Sequence, residues 1–299
     1  MKVSSEDYCF YRDKHALVDA DIIVWRSAAI AEPQRYCVTH EREGYYETFD
    51  TFKEAKERVK YEDLDVIWKK TEDKGVEFAL MVTKNTILAI RDKLSPSGMS
   101  VYLSGKNNFR KEVGVTKPYK GSREFMAKPK YFREVREYLI KEWGAEVIDG
   151  IEPDDKIGIE SQRLGEGSIR CTIDKDMDQL PGWTYDWVGD SVRRVTRREA
   201  DFNLYAQVLS GDPVDDVPGL PGIGKKTAQK LLSGATSSKD LFSRAWGVYR
   251  DRLEYPSIED TWGYFREQAR LVYILRHEGD GFEQLPGYRN LEELGGSKT

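Results

Sequence analysis

Cysteine and histidine are scarce, with three of each in 299 residues: Cys9, Cys37 and Cys171, and His15, His40 and His277. An odd number of widely spaced cysteines fits reduced thiols far better than a disulfide framework or a zinc site. So few imidazoles leave histidine-based chemistry poorly supplied. Long hydrophobic runs are also missing, since the apolar stretch 16–25 is interrupted by Asp19 and Asp21, and this excludes a membrane span there. The opening residues Met-Lys-Val-Ser-Ser-Glu-Asp lack the apolar core of a signal peptide, so the expected place of residence is the cytoplasm. No internal repeat and no low-complexity tract interrupts the chain.

What is present is a well-mixed globular composition, 39% hydrophobic and 33% charged, long enough for one large domain with an appendage or for two. The net charge of −5 argues against a general nucleic-acid coat, but the charge is unevenly placed. Residues 104–133 hold nine Lys/Arg against two Asp/Glu, whereas residues 146–190 hold twelve Asp/Glu against four Lys/Arg. Within and after the acidic stretch come Glu152, Asp154 and Asp155 in I-E-P-D-D, Asp174 and Asp176 in T-I-D-K-D, and Asp212 and Asp215 in G-D-P-V-D-D. Crowded carboxylates repel one another unless a cation sits among them, and a hard divalent ion takes a few carboxylates and leaves room for water and phosphate. Taken singly, each pair also fits a helix cap or a solvated turn. Taken together, and beside a basic stretch, they outline a metal site acting on a polyanion.

The hydrophobic pattern places these residues at strand ends. Residues 16–24 read as a buried strand carrying Asp19, followed by helix to residue 30; residues 35–49 read as a hairpin about Gly44. Residues 52–61 and 78–94 read as helices, the first with Glu54 and Arg58 spaced for an ion pair. A short strand is expected at 101–103, an exposed loop or arch at 106–130, and a helix at 131–143 stopping at Gly144. The I-E-P-D-D cluster precedes a helix at about 156–164, so its acids lie at a positive helix start, and strand 169–173 runs into Asp174. A further strand is expected at 184–188, mostly helix from Glu199 onward, and a frayed tail after Glu292.

E-x-D-D after one strand, D-x-D after the next and G-D-x-x-D before a glycine-rich turn resemble the 5′ nuclease superfamily, which includes the 5′ nuclease domain of DNA polymerase I, flap endonucleases and bacteriophage 5′-to-3′ exonucleases. The resemblance covers residues 16–232, with 267–276 also similar to phage members. It implies an α/β fold: a PIN-like parallel-sheet nuclease core at 1–198 with a basic helical arch at about 104–143, then a helix-three-turn-helix DNA-binding region with C-terminal helices at 199–299. It implies two Mg2+ or Mn2+ ions, with Asp19, Glu152 and Asp154 at the first, Asp155 as ligand or supporting partner, and Asp174, Asp176, Asp212 and Asp215 at the second. Arg26, Arg110, Lys120 and Arg123 match the family's catalytic cations, and Tyr119 a ring on which a base can stack. In V-P-G-L-P-G-I-G-K-K-T-A, Gly222, Gly224, Lys225, Lys226 and Thr227 match the turn that grips a DNA phosphate, and the resemblance adds a K+ ion on its carbonyls. The implied activity is 5′-to-3′ exonuclease or flap endonuclease action on DNA, by a monomer in a bacterial or phage-infected cytoplasm with no membrane partner.

Two departures stand out. Asp216 replaces the asparagine that ends the family's G-D-x-x-D-N, and the stretch Tyr102 to Arg110 contains no carboxylate where the family places an aspartate before F-R. An inactive DNA-binding relative, or an enzyme acting on RNA–DNA hybrids, are therefore the alternatives. A P-loop at Gly219 to Lys225 fails, because Lys226 stands where Ser or Thr binds magnesium and no hydrophobic strand precedes it.

Overall fold

The computed structural model describes residues 11–60 and 65–294, apart from the side chains at 124 and 125. Cys9, the expected helix end at Tyr61 and the last five residues lie outside them. Two compact units divide the chain, one comprising Met1–Ala20, Ile90–Met126 and Gly144–Thr299, the other Asp21–Ala89 and Ala127–Trp143.

In chain order the elements begin with strand β1 (His15–Asp19), helix α1 (Asp21–Ile30), strands β2 (Gln34–His40) and β3 (Tyr45–Phe49), helix α2 (Phe52–Arg58) and strand β4 (Val66–Thr71). Helix α3 (Val76–Leu94), strand β5 (Gly98–Asn108), the short helix α4 (Arg110–Val113), helix α5 (Phe132–Trp143), strand β6 (Glu146–Gly150) and helix α6 (Pro153–Leu164) follow. Then come β7 (Ser168–Cys171), β8 (Gly182–Asp186), β9 (Ser191–Val195), and helices α7 (Arg197–Ser210), α8 (Lys225–Leu232), α9 (Ser238–Arg252) and α10 (Ile258–Val272).

The first unit holds the α/β sheet expected from the sequence, in the order β6-β5-β1-β7-β8-β9. Every pairing is parallel except the last, β8 with β9. Parallel strands buried on both faces read as near-continuous apolar runs, and β1, with Ala16, Leu17 and Val18 fully buried, is the plainest case. Helix α6 packs across β1, β5 and β7, and beneath it Leu17, Tyr102, Ile148, Ile157, Met177, Leu180 and Ile274 form a core. Helices α7 to α10 enclose a separate aromatic core in which Phe242 meets Phe265 edge-on at 5.5 Å and Trp246 meets Trp262 at 5.0 Å. A division at 198/199 is not where the compact units part: α7 straddles it, packing on the turn Asp176–Gln179 on one side and on α8 and α9 on the other.

The second unit contains an antiparallel sheet in the order β3-β2-β4, with α1, α2, α5 and most of α3. The β2–β3 hairpin turns through Gly44 at φ 72°, and β4 is an additional strand whose lysines obscure its alternation in the sequence. Glu54 does not pair with Arg58; it closes a capping box with Thr51, satisfying helix-start N–H groups, and Arg58 approaches Glu47 at 3.9 Å. The expected loop at 106–130 is partly ordered structure, since Lys106 to Asn108 continue β5 and residues 110–113 and 121–125 are helical turns. No helix among the described residues is long and apolar enough to cross a membrane, and Cys37 and Cys171 are buried free thiols.

Candidate metal and phosphate site

Adjacent strand ends bring the first carboxylates together. Asp19 closes β1 and is 4% exposed; its Oδ2 accepts from Thr172 Oγ1 at 3.2 Å, and the same hydroxyl oxygen accepts from the Asp174 backbone N–H at 3.0 Å beyond β7. Thr172 thus ties the two strand ends, a role not foreseen from the motif. Asp154 lies in the first turn of α6, with Glu152 as the residue preceding the helix and Pro153 at its first position. Burial, together with the charges of Asp19, Asp174 and Glu152, pushes the Asp154 carboxyl well above its usual range. Asp176, pushed up to about 8 by burial, Asp174 and Asp212, forms the second focus of repulsion. Its neighbour Gln207 on α7 is a further contact the sequence did not flag.

The loop Gly211 to Asp216 is held by a bridge between Asp212 and Val217. Gly211 and Gly219, both at positive φ, lie back to back: a Cβ on Gly211 would come within 2.3 Å of Val217 O, and one on Gly219 within 2.2 Å of Gly211 N. Only glycine at both positions lets the loop close this tightly. Closure presents Asp215, whose Oδ1 meets Arg123 Nη2 at 2.7 Å and whose Oδ2 lies 3.4 Å from Lys120 Nζ. Lys120 also reaches Glu152 Oε1 at 2.5 Å, and its backbone, at φ 54°, donates to Asp215 O at 2.9 Å. Burial opposes the Lys120 ammonium, but Glu152 and Asp215 outweigh it and its pKa is raised. At Glu152 burial is likewise outweighed, by Arg110 and Lys120, and the carboxyl is lowered. Asp215 remains raised, because burial prevails over Lys120 and Arg123.

Asp216, which departs from the family's asparagine, accepts from Ser122 N–H at 2.8 Å and Ser122 Oγ at 2.6 Å and pairs with Lys117 at 2.7 Å. Its carboxylate stitches the loop to the segment carrying Lys120. Ser122 and Lys117 thereby gain a supporting role that no motif announced.

Three expected site residues are placed differently. Asp155 is fully buried, and both its oxygens are spent: Oδ1 accepts from Arg110 Nη2 and Leu275 N–H, Oδ2 from Arg110 Nη1 and Glu152 N–H. In this arrangement it acts as a structural counter-ion, which fits the supporting-partner alternative. Arg110, 2% exposed, completes its fork with Leu271 O and Tyr273 O and is closed to a phosphate. Tyr119 is 5% exposed with its hydroxyl 2.9 Å from both Glu152 Oε2 and Asp215 Oδ2, so it links two carboxylates and offers no stacking face. Arg26 is exposed on α1 of the other compact unit. Gly222, Gly224, Lys225, Lys226 and Thr227 are exposed around the start of α8, where Gly224 leaves the first N–H groups without a side-chain cap.

The stretch between Tyr102 and Arg110 carries no carboxylate of its own. Asp149, the nearest acid on β6, accepts from Lys106 N–H, Asn107 N–H and Asn107 Nδ2 at 2.8–3.0 Å and is committed to holding the end of β5. Gly105 cannot carry one either, since a Cβ there would meet Ile148 O at 2.4 Å.

Among the described residues, no three acidic, His or Cys side chains stand around one point as a finished metal cage. The donor chemistry nevertheless fits hard divalent cations, being all carboxylate oxygen, with the Asp154 and Asp176 carboxyls raised by burial and by the acids around them. A testable consequence concerns the metal-free protein. A carboxyl raised to about 8 binds a proton in the folded state that the unfolded chain releases near pH 4, so its contribution falls as pH rises from about 4 to about 8. The stability advantage of Asp176→Asn over the parent should grow across that interval and level off above it. Urea titrations at several pH values with chelator present check this, and a difference independent of pH would refute it.

No protein-family model matches the chain. Among curated proteins, a 5′–3′ exonuclease of Buchnera aphidicola is 29% identical over 184 residues, covering 56% of this chain and 63% of the relative. DNA polymerase I of Bacillus caldotenax is 28% identical over 226 residues, covering 67% of this chain and 24% of the polymerase. The chain therefore spans less than two thirds of these relatives' own length. The resemblance to 5′ nucleases drawn from the motifs is borne out by their names. Among solved structures, the T5 D15 protein co-crystallized with metal ions is 17% identical with a TM-score of 0.49, covering 66% of this chain and 82% of that one. The catalytic core of Rad2 in complex with DNA substrate is 12% identical with a TM-score of 0.42, covering 85% and 72%.

Proposed function

We propose that this chain is a divalent-metal-dependent 5′ nuclease that hydrolyses DNA phosphodiesters at or near 5′ ends, as a 5′-to-3′ exonuclease with flap endonuclease action. The observation that carries the reading is the crowding of Asp19, Asp174 and Glu152 on Asp154, which with burial pushes its carboxyl well above the usual range, while Lys120 pairs with Glu152 and Arg123 with Asp215. Asp19, Glu152 and Asp154 would hold one Mg2+ or Mn2+ ion, and Asp174, Asp176, Asp212 and Asp215 the other. Such ions, when bound, lower the pKa of water and offset charge on the leaving 3′ oxygen. The chain's own residues do the rest. Tyr119 keeps Glu152 and Asp215 in register, and Lys120 and Arg123, which neutralise those acids here, can turn to a phosphate once the acids are otherwise satisfied. The start of α8, with Gly222, Gly224, Lys225, Lys226 and Thr227, suits a duplex phosphate and a K+ ion on the turn's carbonyls. A monomer in the cytoplasm of a bacterium or phage-infected host is the fitting context.

The deciding experiment offers 5′-labelled flap, blunt duplex and RNA–DNA hybrid substrates with magnesium, with manganese and with excess chelator. Short 5′ products from DNA, dependent on the metal, are expected. Preference for the hybrid would redirect the substrate assignment; full activity in chelator, or binding without cleavage of any substrate, would overturn the proposal, the latter in favour of an inactive DNA-binding protein.

Lys120→Ala should slow single-turnover cleavage roughly 10²–10³-fold, the usual loss for one positioned donor. Lys226→Ala, one exposed cation on α8, should instead weaken duplex binding and flatten the plot of log Kd against log salt by about one. If Lys226→Ala slowed turnover at saturating DNA with affinity unchanged, the assignment of α8 as an anchor would be wrong.

A further inference from the structure

Four arginines, Arg193, Arg194, Arg197 and Arg198, stand within six residues at the step from β9 to α7, and β9 is the outermost strand of the large sheet. None of them belongs to the acidic site or to the turn before α8. Two clefts connect them to both. The first, of about 390 Å³, has Asp176, Asp212, Gly224 and Lys225 on its walls together with Asp178 and Asn203. The second, of about 500 Å³, is lined by Arg193, Arg194, Arg198 and Phe202 and shares the same Asp178 and Asn203. Asp178 and Asn203, joined by a hydrogen bond from Asn203 Nδ2 to Asp178 O at 3.1 Å, form a wall common to both clefts, so a path from the second acidic cluster to the arginines passes over this pair.

The geometry points to a second backbone-binding site: the arginine cleft holds phosphates of the DNA on the stretch leading away from the cleaved position along this path. The identity of the polyanion rests on the nuclease reading. Guanidinium is the side chain best matched to phosphate, since its planar fork makes paired hydrogen bonds and stays charged. The arginines are engaged but not exhausted. Arg193 donates to Asp178 Oδ1 through Nη2 at 2.5 Å and Nε at 3.1 Å, which also neutralises the one acid at the junction of the clefts. Arg194 meets Glu166 at 2.6 Å with both side chains half exposed or more, and Arg198 Nη2 donates to Ala235 O at 3.0 Å. Each guanidinium carries five donors, so spare N–H groups remain, and exposed ion pairs of this kind yield readily to a competing anion. The remaining acid of the cleft, Glu199, is turned back on Thr196 N–H and Oγ at the start of α7. With Phe202 partly buried against the helical core, the cleft offers charge to a backbone and no open ring to a base, so contact here would be independent of sequence.

The test uses the full chain in excess chelator, so that binding is read without cleavage. Duplexes sharing one 5′ end and extended stepwise are titrated at several salt concentrations against the parent, Arg194→Gln, Arg194→Lys and the double variant Arg194→Gln/Arg198→Gln. Each lost phosphate contact removes about 0.9 from the slope of log Kd against log salt. The double variant should therefore lose close to two on the longest duplex and nothing on the shortest, Arg194→Gln about half of that, and Arg194→Lys should keep the parent slope. If the double variant fails to fold, the single pair, at an exposed position, decides the matter. Unchanged slopes on every length, an equal loss on all lengths, or a parent that binds no DNA would overturn the site. A parent that binds DNA with the expected length dependence but cuts nothing when magnesium is restored would sink the nuclease reading alone.

Discussion

Replacing Asp154 or Asp174 by asparagine should stop cleavage while DNA binding survives or tightens. The expected loss exceeds the roughly 10–100-fold that follows when only a partner behind a metal ligand is removed, because a ligand itself is lost. Stability should move the other way. Burial and the charges of Asp19, Asp174 and Glu152 raise the Asp154 carboxyl well above its usual range, so the neutral amide, nearly the same shape, relieves repulsion that the carboxylate creates. Without metal, Asp154→Asn should therefore unfold at equal or higher temperature than the parent, and added magnesium should stabilise it less than it stabilises the parent. Single-turnover cleavage, equilibrium binding in chelator and thermal midpoints with and without magnesium separate these effects. Equal loss of binding and cleavage, or a variant that unfolds earlier in chelator, would mean that the residue serves the fold and not a cation.

The line between what the sequence tells and what it withholds runs through this same cluster. Asp19 and Asp174 could be placed because each lies at the end of an apolar stretch that reads as a buried strand, and the ends of the neighbouring parallel strands β1 and β7 lie side by side; Glu152 follows the edge strand β6, of which only Ile148 is buried. The tight loop was equally legible from the glycines flanking G-D-P-V-D-D. Which oxygens are free was not legible. Asp154 and Asp155 are adjacent in the same helical turn, yet one faces the acids and the other is consumed by Arg110, whose remaining bonds go to Leu271 and Tyr273 some 160 residues away. Tyr119 was misplaced for the same reason: an aromatic in a basic stretch looks exposed until Glu152 and Asp215 are seen to close over its hydroxyl. Residue 198 falls within the first turn of α7, which packs on the turn Asp176–Gln179 as well as on α8 and α9.

Removing either partner of the Arg110–Asp155 pair should destabilise the protein by about 3–5 kcal/mol, the range for breaking a buried ion pair and stranding the other charge. Arg110 carries the larger consequence of the two. A guanidinium stays charged in proteins, so Arg110 cannot escape by losing its proton when Asp155 is truncated. Asp155→Ala leaves that cation facing Glu152 at 3.5 Å and frees the backbone N–H groups of Glu152 and Leu275. Asp155→Asn keeps the shape but returns only one acceptor oxygen to four donors, so most of the loss should persist. Arg110→Lys should fare no better, because a single ammonium cannot span Asp155, Leu271 O and Tyr273 O together. Urea midpoints measured in chelator, where no metal contributes, read the fold alone. If Asp155→Asn kept the parent's midpoint there yet lost the stabilisation that magnesium gives the parent, Asp155 would be a metal ligand after all, and the assignment of its four hydrogen bonds to the fold would have to be given up.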